Sequence, residues 1–242
     1  MTEVKLDVLA IGAHPDDVEL GCGGTLATLV AAGRRVGILH LTRGEAGTRG
    51  TPEEREGEAG AAAQALGVEA LGFLNCGDGR LRSGEDEEDA LIAKLRQWRP
   101  EIVLGPAPRD RHPDHGRAHG LVADAVFYSG LARRGQGEPY RPAAVFSYMQ
   151  HDPFEPRFIV DVSSGWGRKQ AALAAYRSQL HQPNEEPSGP ATKVASPEFS
   201  AAMEGRARHF GLMIGAEFGE PFWSPLPLSI ADPLTLAPGG LR

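Results

Sequence analysis

The chain has 242 residues, 41% of them hydrophobic, which is enough for one α/β core. A net charge of −7 and a pI near 5.6 exclude the basic surface that nucleic acid or an anionic membrane would need. Two cysteines are too few for a disulfide framework, no run approaches the roughly 18 apolar residues of a membrane span, and MTEVKLD lacks the pattern of a signal peptide, so a cytoplasmic protein is expected.

Short apolar runs alternate with longer amphipathic ones. VLAIGA (8–13) reads as a buried strand, GGTLATLVAAG (23–33) as a helix closed by Gly33, and VGILHLT (36–42) as a second strand. PEEREGEAGAAAQALG (52–67) opens with proline and acids and ends at glycine, the charge and residue order of a helix. Then come a strand at 70–75, a helix at 85–100 stopped by Pro100, a strand at 101–107, and a helix at 116–131. Strands at 143–150 and 157–163 and helices at 164–180 and 197–215 complete the series.

This alternation predicts a Rossmann-like, mostly parallel sheet with helices on both faces, and ligands beyond the carboxyl ends of the strands. Residues 1–242 read as a single domain, with 219–242 an irregular proline-rich tail. The glycine-rich loop 42–50 carries Arg43 and Arg49. The Pro- and Ser-rich loop 181–197 has the length of a lid or an interface loop.

Two polar clusters fall just after strands. GAHPDD follows the first strand and PAPRDRHPDH follows the fourth, so the fold brings them together from about a hundred residues apart. His14 and Asp17 are three apart and share one face of a helical turn, as do His112 and His115. Imidazole and carboxylate donors suit zinc and similar divalent ions. All four would close a structural site, whereas three would leave the open position of a catalytic one, and spacing alone leaves both open. Asp16 is left over beside the metal, where a carboxylate can take a proton from water. Asp114 is placed to hydrogen-bond His112 and keep it protonated.

Simpler roles compete. Paired aspartates often cap a helix, and Pro-Asp sequences often form solvated turns. Both clusters at strand ends favour metal. Cys22 and Cys76, with no CxxC partner, read as packing residues. A nucleotide-binding Rossmann module is the rival from another class. But the first turn lacks GxGxxG and puts two carboxylates where a pyrophosphate would sit. A metal-binding protein without catalysis is a third reading, and the spare Asp16 counts against it.

AHPDDVE followed by HPDH resembles the zinc-dependent de-N-acetylases of the LmbE/PIG-L type, which act on N-acetylglucosaminyl compounds. The resemblance runs through TRGEAGTRGT, LGFLNCGDGRL, HPDHGRAHGLVADAVFYSGL, RFIVDVS and YRSQLHQP, most of residues 5–182. It looks most like the bacillithiol-biosynthesis branch, which deacetylates N-acetylglucosaminyl malate; the mycothiol branch, acting on an inositol glycoside, is the near relative. By motif it implies His14, Asp17 and His115 as ligands of Zn²⁺, with Fe²⁺ and other divalent ions also accepted. It implies Asp16 as general base, and His112 as acid and oxyanion stabiliser supported by Asp114. Arg55 and Asp78 would contact substrate, and a homo-oligomer, often a hexamer in this branch, would be the assembly. Asp110 stands where the mycothiol enzymes carry a tyrosine, which removes a tyrosine assist from that position. Independently of the resemblance, Arg43, Arg49, Arg55 and Arg109 fall near the strand ends, where bidentate pairing with a dicarboxylate would suit a malate aglycone over a neutral one such as inositol.

Overall fold

The structure, a computed structural model, describes residues 5–182 and 189–229. Strand β1 (Val8–Gly12) is followed by α1 (Asp17–Ala31), β2 (Val36–His40), α2 (Pro52–Leu66), β3 (Ala70–Phe73), α3 (Glu85–Trp98), β4 (Ile102–Pro106) and α4 (Pro113–Ser129). Then come β5 (Ala144–Tyr148), β6 (Phe158–Asp161), α5 (Trp166–Ala175), α6 (Pro197–Ile214) and β7 (Gly219–Trp223). The strands form one sheet in the order β3-β2-β1-β4-β5-β7-β6. The first five are parallel in register, and β7 pairs antiparallel with both neighbours.

The sheet is buried on both faces, and period-two alternation divides its residues between them. Leu9, Ile11 and Leu39 face the cluster built with α3 and α4, whereas Val8, Ala10 and Ile38 face the cluster built with α1, α2 and α5. The strand order reverses direction between β1 and β4, so the loops that follow these two strands flank a crevice at the carboxyl edge.

Local chemistry sets the ends of the helices. Thr51 caps α2 in a reciprocal capping box with Glu54, Pro52 occupies the first turn, and Gly67 terminates the helix at φ +78°. α4 starts at Pro113, three residues earlier than expected, because the His112 imidazole accepts the backbone N–H of Asp114 and acts as its cap. α1 also starts early, at Asp17, and breaks at Cys22 (φ −143°); the helix expected from residue 23 is its second half. The glycines beside the break are required by contact. A Cβ on Gly21 would stand 2.2 Å from the ring of Tyr148, and one on Gly24 would stand 2.9 Å from Val162.

The tail expected to be irregular from 219 contains a strand. Pro221 in GEPFW argues against a strand because it lacks an N–H. β7 nonetheless lies between β5 and β6, and its pairing with β5 stops at Phe222, one residue short of the proline. Glu220 on this strand accepts Gly24 N at 3.0 Å, Thr25 N at 2.7 Å and Thr25 Oγ1 at 2.7 Å, which satisfies the amides freed by the break in α1. Lys169 neutralises it at 2.6 Å. Loop 181–197 lies partly outside the described residues. Among the described residues no helix is long and apolar enough to cross a membrane.

Candidate metal centre and active site

The loop after β1 turns sharply. Asp16 caps α1 at φ +100°, a left-handed conformation that costs energy for any residue but glycine and that concentrates at functional sites. The turn is fastened from three sides. His14 N donates to Asp17 Oδ2 at 2.8 Å, and His40, at the end of β2, faces the His14 carbonyl at 3.1 Å through Nδ1. A carbonyl only accepts, so that nitrogen carries the proton. Arg55 from α2 donates to the Pro15 carbonyl at 2.6 Å and to that of Gly44 at 3.3 Å.

The two clusters meet. The His14 and His112 rings are 4.8 Å apart, as are those of His112 and His115. Asp17 sits between two of the imidazoles, with Oδ2 3.3 Å from His14 Nδ1 and Oδ1 3.2 Å from His115 Nε2. Donors bonded to one tetrahedral zinc ion at about 2.0–2.1 Å lie roughly 3.3 Å from each other. Each imidazole stands at about that distance from Asp17, though from different oxygens, and His14, His112 and His115 also bring one donor atom each to within 4.8 Å of one another. The donor set of two imidazoles and one carboxylate is that of a catalytic zinc site with an open position. His14 Nε2 faces Asp78 Oδ1 at 3.0 Å and Asp114 Oδ2 at 3.5 Å, though it is buried and makes no hydrogen bond of good geometry.

The metal-free electrostatics point the same way. Burial raises Asp17, but His115 and His14 outweigh it and hold the carboxylate well below its usual range. Burial lowers His115, but Asp17 and Asp110 outweigh it and lift the imidazole to about 9. Asp16 differs: burial pushes it up to about 7, with Arg55 pulling the other way and the Asp17 charge adding to the rise. Its nearest cation, Arg55 Nη2, is 3.5 Å away.

Several expectations are corrected. The Asp114 carboxylate does not support His112; it accepts Gly79 N at 2.7 Å and Arg117 Nη1 at 3.0 Å and faces His14. His112 is held instead by the backbone amide of Asp114, which donates to Nδ1 at 3.2 Å. With Nδ1 an acceptor, the ring's proton sits on Nε2, so His112 is a neutral N–H donor rather than an imidazolium. Burial, with the charges of His14 and His115, lowers its pKa accordingly. Asp78 has protein partners on both oxygens: Oδ1 faces His14 and Oδ2 accepts Ala46 N at 2.9 Å. Arg55 is 4% exposed and braces the Asp16 turn through the Pro15 carbonyl.

The arginine cluster also dissolves. Arg43 pairs with Glu56, donates to Asn75 Oδ1 at 2.9 Å and lies over the ring of Phe73. Arg49 donates to the carbonyls of Ser178 at 2.6 Å and Pro190 at 2.9 Å. Arg109 is exposed on the loop after β4 and has no ion pair or hydrogen bond among the described residues.

Three residues of the site escape the sequence reading. Gln150, just past β5, donates to Asp17 Oδ1 at 2.6 Å, His40 braces the first turn, and Asp110 accepts from His115 Nδ1 at 2.8 Å. In the sequence Asp110 stands out only as the lack of a tyrosine. The signal for it is its place in RDRHPDH; nothing local points to the other two. Beside the centre, a cavity of about 380 Å³ is lined by Arg111, Gln150, His151, Phe199 and Arg206, and the ring of His151 lies 5.7 Å from that of His115.

Comparison with known proteins fits this arrangement. The profile of the PIG-L family, GlcNAc-PI de-N-acetylase, matches residues 9–126, a span that holds both clusters. The chain is 33% identical over 191 residues to diacetylchitobiose deacetylase of Thermococcus kodakarensis, covering 72% of this chain and 70% of the other. It is 30% identical over 229 residues to 1D-myo-inositol 2-acetamido-2-deoxy-alpha-D-glucopyranoside deacetylase of Saccharomonospora viridis, covering 72% and 85%. The crystal structure of a conserved protein from Thermus thermophilus superposes with a TM-score of 0.85 at 41% identity, covering 94% of this chain and 98% of that one.

Proposed function

This chain belongs to the PIG-L family and is a deacetylase, and on that premise we propose that it removes the acetyl group from an N-acetylglucosaminyl conjugate at a single divalent metal ion. The observation that carries the reading is Asp17 set between His14 and His115 at 3.3 and 3.2 Å, with the unligated Asp16 next to it. A divalent ion held by those three residues, with zinc the expected occupant and Fe²⁺ also suited to the donors, supplies Lewis acidity toward the acetamide carbonyl and toward water.

The chain's own residues do the rest. Asp16 takes the proton of the attacking water as its oxygen bonds to the carbonyl carbon. A carboxylate with a pKa near neutrality is suited to take a proton and then give it back. The Nε2–H of His112 donates to the carbonyl oxygen as it gains charge, and a preorganised donor of this kind is worth about 3–4 kcal/mol. Asp16 then hands its proton to the nitrogen, the C–N bond breaks, and acetate and a free amine leave. Arg55 and His40 keep the Asp16 turn in its left-handed form throughout.

For the aglycone, the finer reading is malate, the group handled by the branch the sequence resembles. Its support within the structure passes from Arg43, Arg49 and Arg55 to Arg109 and Arg111 on the loop after β4, with Arg111 lining the cavity beside the centre. Mass spectrometry of products from malate, inositol and chitobiose conjugates of N-acetylglucosamine tests this. Loss of one acetyl group with the highest kcat/KM on the malate conjugate is expected. Equal turnover of all three rejects the malate reading, and no acetate from any conjugate rejects the function.

A further inference from the structure

We propose that Asp110 is a positioning residue for the metal centre: its carboxylate fixes His115 in the tautomer that presents Nε2 to the ion and ties that imidazole to the backbone on both sides. The inference rests on the reading that His115 is a metal ligand.

Asp110 lies on the loop between β4 and α4, with its side chain 2% exposed. Its Oδ1 accepts from His115 Nδ1 at 2.8 Å and from His112 N at 3.0 Å. Its Oδ2 accepts from His151 N at 2.9 Å and from Asp152 N at 3.3 Å. A carboxylate has about four lone-pair sites, and four N–H groups fill them. Asp110 therefore has no free oxygen with which to take an ion, although Asp110, His115 and His151 stand close enough together for one. What it can do is accept a proton-bearing Nδ1. An imidazole has two nitrogens, and a proton held on Nδ1 leaves the lone pair of Nε2 free to bind. That nitrogen is the one beside Asp17. Ligand histidines commonly donate their second N–H to such a carboxylate, which orients the ring and raises its basicity.

The other histidine is held less firmly. His14 Nε2 is 3.0 Å from Asp78 Oδ1 without the geometry of a hydrogen bond, and Asp78 is otherwise engaged with Ala46. Asp110 also reaches the segment after β5 through His151 and Asp152, so one carboxylate sets a ligand, the backbone of His112 and the wall of the adjoining cavity.

Asparagine cannot replace it. With its oxygen toward His115, the amide NH₂ meets the N–H groups of His151 and Asp152, donor against donor. With the amide flipped, the NH₂ faces His115 Nδ1 and favours the tautomer with the proton on Nε2, which cannot bind an ion.

The test is zinc affinity, measured by competition with a chromogenic chelator on wild type, Asp110→Asn and Asp78→Asn, with circular dichroism to confirm that each is folded. Asp110→Asn is expected to bind zinc about 10–100-fold more weakly, and Asp78→Asn to lose less. Equal affinity of folded Asp110→Asn and wild type overturns the proposal. Should Asp110→Asn not fold, ¹⁵N shifts of His115 in the zinc-loaded wild type decide: a proton on Nδ1 and zinc on Nε2 support it, and zinc on Nδ1 overturns it. A wild type that takes up no zinc overturns the metal-centre reading beneath it.

Discussion

Two regions of this molecule bury carboxylates and treat them in opposite ways. At the antiparallel corner, Glu220 on β7 has Lys169 at 2.6 Å and accepts three donors from Gly24 and Thr25, so its charge is balanced and its lone pairs are used. At the carboxyl edge of the parallel strands, Asp17, Asp78, Asp110 and Asp114 converge on two imidazoles, His14 and His115, with Asp16 beside them. There two imidazoles converge on the single carboxylate of Asp17, and Asp16 has a cation only at 3.5 Å. Buried charge is costly unless paired and hydrogen-bonded, so a complete set of partners marks scaffold and an incomplete one marks a place kept for something else.

The sharpest way to break this comparison is to remove what the open region is kept for. Dialysis against a strong chelator should abolish deacetylation, and zinc should restore it, while the Glu220 corner stays folded by circular dichroism. The double variant His14→Ala/His115→Ala should bind no zinc. Full stoichiometry in that variant would remove both residues from the ligand set.

Next in size is Asp16→Asn, which should keep zinc and lose roughly 10²–10⁴ in kcat, the span of a general base. Burial pushes Asp16 up to about 7, against the pull of Arg55, and catalysis needs it ionised. Activity should therefore rise with pH through an apparent pKa at or below 7, because a cation beside Asp17 lowers it further. His112 already donates as a neutral ring, so it adds no basic limb of its own. A basic limb that vanishes in His112→Gln would show that the imidazolium is the working form.

The scaffold side predicts a loss of stability rather than of rate. Glu220→Ala strands the Lys169 ammonium and the amides of Gly24 and Thr25, at a cost of about 3–5 kcal/mol in denaturant unfolding. kcat on the folded fraction should be unchanged. A large fall in kcat without loss of stability would instead make the break in α1 part of the site.

The same contrast explains what could be read from the chain. His14 with Asp17 and His112 with His115 were legible because each pair is three residues apart and its geometry is local. The five parallel strands were legible as apolar runs between glycine- and proline-marked ends. Asp78 and Gln150 take their partners only once β1, β3, β4 and β5 are laid side by side, and no spacing encodes that. Asp110 meets His112 N and His115 Nδ1 within its own motif, and only its bonds to His151 and Asp152 wait on β5. Proximity in sequence assigns Asp114 to His112, whereas the fold turns its carboxylate toward His14. β7 is hidden because Pro221 reads as a break; it is tolerated where the β5 pairing has stopped. The arginines near the strand ends suggest a cluster, yet neighbours far along the chain, such as Ser178 and Pro190 for Arg49, claim them.

The smallest expected effect sharpens the comparison from within α1. Glu19 is fully buried, and neither carboxylate oxygen has a hydrogen bond of good geometry; it is the counterpart of Glu220 without the lysine or the amides. Burial, with the Asp16 charge adding to it, pushes its pKa from 4.5 to about 8. A carboxyl raised in the folded state favours folding while protonated. That stability is complete below pH 4.5 and is lost as pH rises through 8, by about 1.4 kcal/mol per unit in between. Glu19→Gln keeps the shape and has no proton to lose. In metal-free protein its unfolding free energy should gain on wild type by roughly 2 kcal/mol between about pH 6 and pH 8, measured in urea at each pH. Two stability curves that run parallel across that window would mean that Glu19 does not change charge there, and that the bare carboxyl is as well accommodated as the paired one on β7.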